Sequence, residues 1–155
     1  VILKNENDIY IFFETAEQLE PCKVLDIGMF FKRAGCVCRK AMNKEISEEI
    51  QLDGIDFFPE IDFPVWHNIY DNILDMESFI KMDVNAPYGL AVILGTEEFY
   101  QTESSLFMMQ KISQCARYVL VSKLSEKWKQ LVPFLKVIDL QVENDRYYLL
   151  DLGGI

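Results

Sequence analysis

The chain has 155 residues, half of them hydrophobic and 13% aromatic, enough for one substantial core and too few for a comfortable second domain. Its formal net charge of −10, from 25 acids against 15 bases, repels phosphate backbones and anionic bilayers, so neither nucleic acid nor a membrane surface is an expected partner. No apolar run approaches the roughly 18–20 residues of a spanning helix, and the four cysteines, Cys22, Cys36, Cys38 and Cys115, form no disulfide framework, which favours a reduced, cytoplasmic setting.

In chain order, Ile9-Tyr10-Ile11-Phe12-Phe13 reads as a short strand or extended entry segment. Thr15 then caps a short helix through Leu19, which Pro21 stops. Lys23 to Ile27 is the first strong strand and closes on Gly28. Residues 34–42 carry a weak helical pattern, spoiled by Gly35 and Val37. Gln51 to Asp56 is a second strand with an acid at its end. Residues 57–67, FFPEIDFPVWH, read as a structured loop of the kind that walls a pocket. Ile69 to Ile73 reads as a short third strand and Met76 to Met82 as a helix.

Tyr88 to Gly95 is a buried strand. Glu103 to Ala116 is a helix that sets Leu106, Met109, Ile112 or Ser113, and Ala116 on one face. Tyr118 to Ser122 is the next strand, and Ser125 caps a helix running to Val132, with Pro133 as its stop. Leu135 to Val142 and Arg146 to Leu152 pair as a hairpin about Glu143-Asn144-Asp145. The alternation predicts an α/β fold: a doubly wound, mostly parallel sheet with helices on both faces, ending in an antiparallel β-hairpin. Runs such as LAVILG and YVLVS, apolar without alternation, suit strands covered on both sides. One domain is expected over 1–155, with a lead-in over 1–22 and the core over 23–155. The start at Val1 leaves room for a longer parent chain, or for a homo-oligomer, to complete it.

Several residues carry chemistry. The Asp56 carboxylate can accept both hydroxyls of a diol, and open parallel sheets bind ligands beyond the carboxyl ends of their strands. Lys32 and Arg33 suit an anion or a solvated loop end. Trp66 can stack on a ring. His67, the one histidine, suits a general base, against the plainer reading of aromatic loop packing with an exposed imidazole. Glu97 and Glu98 suit a base beside the pocket or a helix-start charge pair. Cys36 and Cys38 stand too close together for a zinc knuckle, so with Cys22 and Cys115 they read as structural thiols, and no metal is expected. No Ser-His-Asp, phosphate-loop or metalloprotease signature occurs.

The order and spacing of four stretches resemble the class I S-adenosylmethionine-dependent methyltransferases. Val24-Leu25-Asp26-Ile27-Gly28 resembles that family's first strand and the start of its glycine turn. Leu52-Asp53-Gly54-Ile55-Asp56 resembles its second strand, with Asp56 in the place of the ribose-binding acid. Residues 88–99 resemble the fourth strand with its polar turn, and residues 106–124 the following helix and strand. The resemblance implies S-adenosylmethionine as cofactor, with Asp26 and Gly28 toward its amino-acid end, Asp56 on the ribose, and Phe57 and Gly95 also on the cofactor. It further implies Glu97 or His67 as proton acceptor, and a small molecule or sugar as methyl acceptor. Phe30 and Lys32 stand where the family's second and third turn glycines would be. That departure keeps two alternatives open: a catalytically inactive binding or assembly module, and a pocket re-used for another anionic nucleotide-type ligand held by Lys32 or Arg33.

Overall fold

A computed structural model describes residues 6–29, 50–56, 70–95 and 97–153. Helix α1 spans Glu6–Leu19, followed by strands β1 (Lys23–Ile27), β2 (Gln51–Asp56) and β3 (Asn72–Asp75). Then come α2 (Met76–Lys81), β4 (Tyr88–Ile93), a 3-10 turn over Glu97–Gln101, and α3 (Ser105–Cys115). Strand β5 (Ala116–Val121), α4 (Lys127–Leu131), β6 (Lys136–Val142) and β7 (Asp145–Asp151) complete the order.

The strands form one seven-stranded sheet in the order β3-β2-β1-β4-β5-β7-β6. The first five run parallel to their neighbours; β7 is antiparallel to β5, and β6 antiparallel to β7. The expected α/β architecture with its terminal hairpin is therefore present. Both sheet faces are covered, which is why β4 is buried from Leu90 to Ile93 with no polar alternation. On one face Val24, Leu52, Leu90 and Val92 pack with Phe12 and Ala16 of α1. On the other, Leu25, Ile55, Ala91 and Ile93 pack with Phe79 of α2, Ile112 of α3 and Trp128 of α4.

Three local expectations are corrected. The β-branched and aromatic run at 9–13 is not a strand but the middle of α1, because Phe12 and Ala16, four apart, bury on one helical face together with Ile11 and Thr15. Glu6 and Asp8 favour the positive N-terminus of that helix. Glu20, at φ 49, turns the chain out of it ahead of Pro21. The buried face of α3 is Ser105, Met108, Met109, Ile112 and Cys115, whereas Leu106 is 42% exposed. Strand β5 starts at Ala116, so the helix ends one residue sooner than predicted; Met109 and Ile112 bury as predicted, while Ser105 and Met108 take the buried place expected of Leu106. The third strand lies at Asn72–Asp75, later than 69–73. The helical pattern at 34–42 falls outside the described residues.

Asp75 closes β3 and caps α2: its carboxylate accepts the Ser78 N–H at 2.6 Å, which holds its pKa below the ordinary aspartate value. Asp75→Ala is expected to cost about 0.5–2 kcal/mol, the ordinary worth of such a cap, in a urea melt at neutral pH. A carboxyl whose pKa is depressed by folding contributes above its unfolded pKa, and the contribution fades as pH falls through the folded value. The gap between wild type and variant therefore closes on acidification.

Candidate functional site

In an open parallel sheet the side-chain chemistry gathers beyond the carboxyl ends of the strands. β1 and β2 pair in parallel with Asp26 opposite Gly54 and Ile27 opposite Ile55. One step further on, Gly28 donates its N–H to Ile55 O at 2.8 Å, so the first turn residue after β1 stays tied to the end of β2. Gly28 and Asp56 thus stand side by side on adjacent strands at one rim. Asp56 is the last residue of β2 and only partly buried.

The turn itself is left-handed. Gly28 has φ 84 and Met29 has φ 54. Glycine adopts that region freely, but a methionine there costs energy and needs support from its surroundings. Met29 has that support, since its side chain is 2% exposed in the core under α1. Across the rim, β4 ends at Ile93 and the chain turns through Gly95, at φ 67, whose N–H donates to Ser122 Oγ at 3.1 Å. Glu97 opens the 3-10 turn that follows. Asp26, Gly28, Asp56, Gly95 and the backbone at Glu97 therefore belong to the ends of β1, β2 and β4, the three adjacent central strands.

Asp26 differs from its neighbours at the rim. Its side chain is fully buried, and Oδ2 accepts the Tyr70 hydroxyl at 2.6 Å. The Asp26 carboxylate is thus held within the core by Tyr70, while the backbone of the turn at Gly28 lies at the rim. Phe57, Trp66, His67, Phe30, Lys32 and Arg33 lie outside the described residues, as do Cys36 and Cys38. Of the remaining thiols, Cys22 is exposed, and Cys115 is buried with its pKa pushed up to about 11 by desolvation. No group of three or more metal-binding side chains occurs among the described residues.

A second polar cluster, marked by no sequence motif, surrounds Asp53. Asp53, in the middle of β2, is 2% exposed and accepts from Tyr88 Oη at 2.7 Å, Asn72 Nδ2 at 2.9 Å and Gln51 Nε2 at 3.2 Å. It borders a pocket of about 290 Å³ that also takes in Lys23, Met82 and Asn85. Lys23, Gln51 and Asn72 are the first residues of their strands, so this pocket opens at the amino ends of the strands, away from Gly28 and Asp56.

No protein-family model and no curated protein matches the sequence. Solved structures do. A Klebsiella pneumoniae protein assigned to the O-methyltransferases superimposes with a TM-score of 0.64 over 96% of this chain and 81% of its own, at 10% identity. The chain is methyltransferase-like in fold. A Nostoc punctiforme protein with the same assignment matches at TM-score 0.61 and 11% identity, over 95% of this chain and 56% of its own. WbdD, a bifunctional kinase-methyltransferase, matches at TM-score 0.58 and 13% identity. The methyltransferase-like chain spans 96% of itself but 41% of WbdD. At these identities the likeness concerns the fold. No helix among the described residues is long and apolar enough to cross a membrane.

Proposed function

We propose that the chain binds S-adenosylmethionine at the rim formed by Gly28, Asp56 and Gly95, and transfers its methyl group to a small molecule or sugar. The observation that carries this reading is the adjacency of Gly28 and Asp56 at the carboxyl ends of paired parallel strands. Asp56, partly exposed and terminal on β2, suits the two hydroxyls of a ribose. The left-handed backbone at Gly28 and Met29 supplies a tight turn against which the amino-acid end lies. When bound, the cofactor supplies an activated methyl on a sulfonium, so the protein's work is mainly alignment of that methyl with the acceptor. Glu97, at the start of the turn after β4, or His67 takes the proton that the acceptor gives up.

Calorimetric titration with S-adenosylhomocysteine tests this. Saturable binding is expected, weakened at least about tenfold by Asp56→Ala through loss of a charge-assisted contact to the diol. Absence of heat at millimolar ligand rejects it. The second reading, a binding or assembly module without catalysis, is favoured by one specific feature: Phe30 and Lys32 where glycines would let the backbone approach a ligand. It predicts no titration with either form of the cofactor.

A further inference from the structure

Gly54 sits in mid-strand without a side chain. A Cβ there would stand 2.9 Å from Tyr70 Cδ1 and 3.0 Å from Cε1, so the aromatic ring occupies the place of the missing side chain. From that seat the Tyr70 hydroxyl crosses to β1 and donates to Asp26 Oδ2 at 2.6 Å, Asp26 being the register partner of Gly54. The neighbouring Asp71 fixes the ring's backbone to β2. Its N–H donates to Leu52 O at 2.7 Å, and its carboxylate accepts the Leu52 N–H at 2.8 Å. Tyr70 and Met29 are each 2% exposed and share one core cluster.

Two residues beyond Asp26 comes the left-handed pair Gly28 and Met29. A bulky residue at positive φ persists only where surrounding contacts over-determine it. We infer that Tyr70 is a positioning residue for the ligand-facing turn: seated on Gly54, it anchors Asp26 through its hydroxyl and thereby sets the Gly28–Met29 backbone. Its functional meaning rests on the proposed cofactor reading. Its geometric content does not, because the anchoring exists in the free protein.

The experiment compares Tyr70→Phe, which keeps the ring and removes the hydroxyl, with wild type and with Met109→Ala. Met109 is buried on the opposite face of the sheet, so its truncation lowers stability without touching the turn. Amide exchange in the free protein is read at Gly28, whose N–H goes to Ile55 O, and at Gly95, whose N–H goes to Ser122 Oγ. In Tyr70→Phe, Gly28 is expected to exchange about tenfold faster while Gly95 is unchanged, as local opening demands. S-adenosylhomocysteine affinity is expected to fall about tenfold in the same variant and to hold in Met109→Ala. Unchanged exchange at Gly28, or equal acceleration at Gly28 and Gly95, or the same pattern in Met109→Ala, overturns the inference. If wild type binds no cofactor at all, the proposed function falls, and the exchange readout still decides the role of Tyr70.

Discussion

Asp53→Ala is expected to destabilise the protein by about 2–3 kcal/mol, because truncation strands the buried Tyr88 hydroxyl that the carboxylate now satisfies, while the exposed Gln51 and Asn72 amides turn to water. Tyr88 is the donor with most to lose. It is fully buried, its hydroxyl lies 2.7 Å from Asp53 Oδ2, and desolvation together with that carboxylate raises its pKa well above the tyrosine norm. It therefore remains a donor throughout the working pH range. Lys23 adds to the cluster from outside, its Nζ 4.4 Å from the Tyr88 ring centroid and 3.1 Å from Ala86 O. A thermal melt should fall by roughly 4–12 °C for a chain of this size. Adding Tyr88→Phe to Asp53→Ala is expected to cost much less than Tyr88→Phe alone, since the phenol and carboxylate act as a pair. Full additivity would show that the pair is not coupled.

Trp128→Ala is expected to cost more, about 3–5 kcal/mol, as a large buried aromatic leaves a cavity that the surroundings fill poorly. Helix α4 is only five residues long and has little stability of its own, so it depends on its one buried side chain. Trp128 is fully buried, and its indole N–H donates to Tyr100 Oη at 3.2 Å. Tyr100 in turn donates to Lys123 O at 3.3 Å, and its own pKa is pushed up to about 12 by burial. The loss of Trp128 thus loosens α4 and the 3-10 turn after β4 together. Phe134, 92% exposed, is the matched control, and its change to alanine should move a urea melt by no more than about 0.5 kcal/mol.

The parallel core was legible because its strands are short apolar runs bounded by turn residues, and β1 and β2 fall where KVLDI and QLDGID place them. The hairpin was legible from Glu143-Asn144, and Glu143 indeed takes a left-handed φ of 55. The lead-in was misread because Ile and Phe favour strands by propensity, while the burial of Phe12 and Ala16 on one helical face decides the outcome. The rim pairing of Gly28 with Asp56 followed from strand order. The fate of Asp26 did not, because it depends on Tyr70, which lies 44 residues away in sequence. The available signal was Gly54, a glycine inside an apolar strand, which marks close approach by another group but does not name it. The Asp53 cluster was hidden for the same reason: its donors come from three different strands.

The proposed function seats a nucleoside-type ligand across the carboxyl ends of β1, β2 and β4. The most direct measurement is a map of backbone amide shifts in labelled protein titrated with S-adenosylhomocysteine. Saturable shifts concentrated at Gly28, Met29, Asp56 and Gly95, needing at least about tenfold more ligand in Asp56→Ala, are predicted. Shifts confined to the β6–β7 hairpin or to the pocket beside Asp53, or none at all, would contradict it.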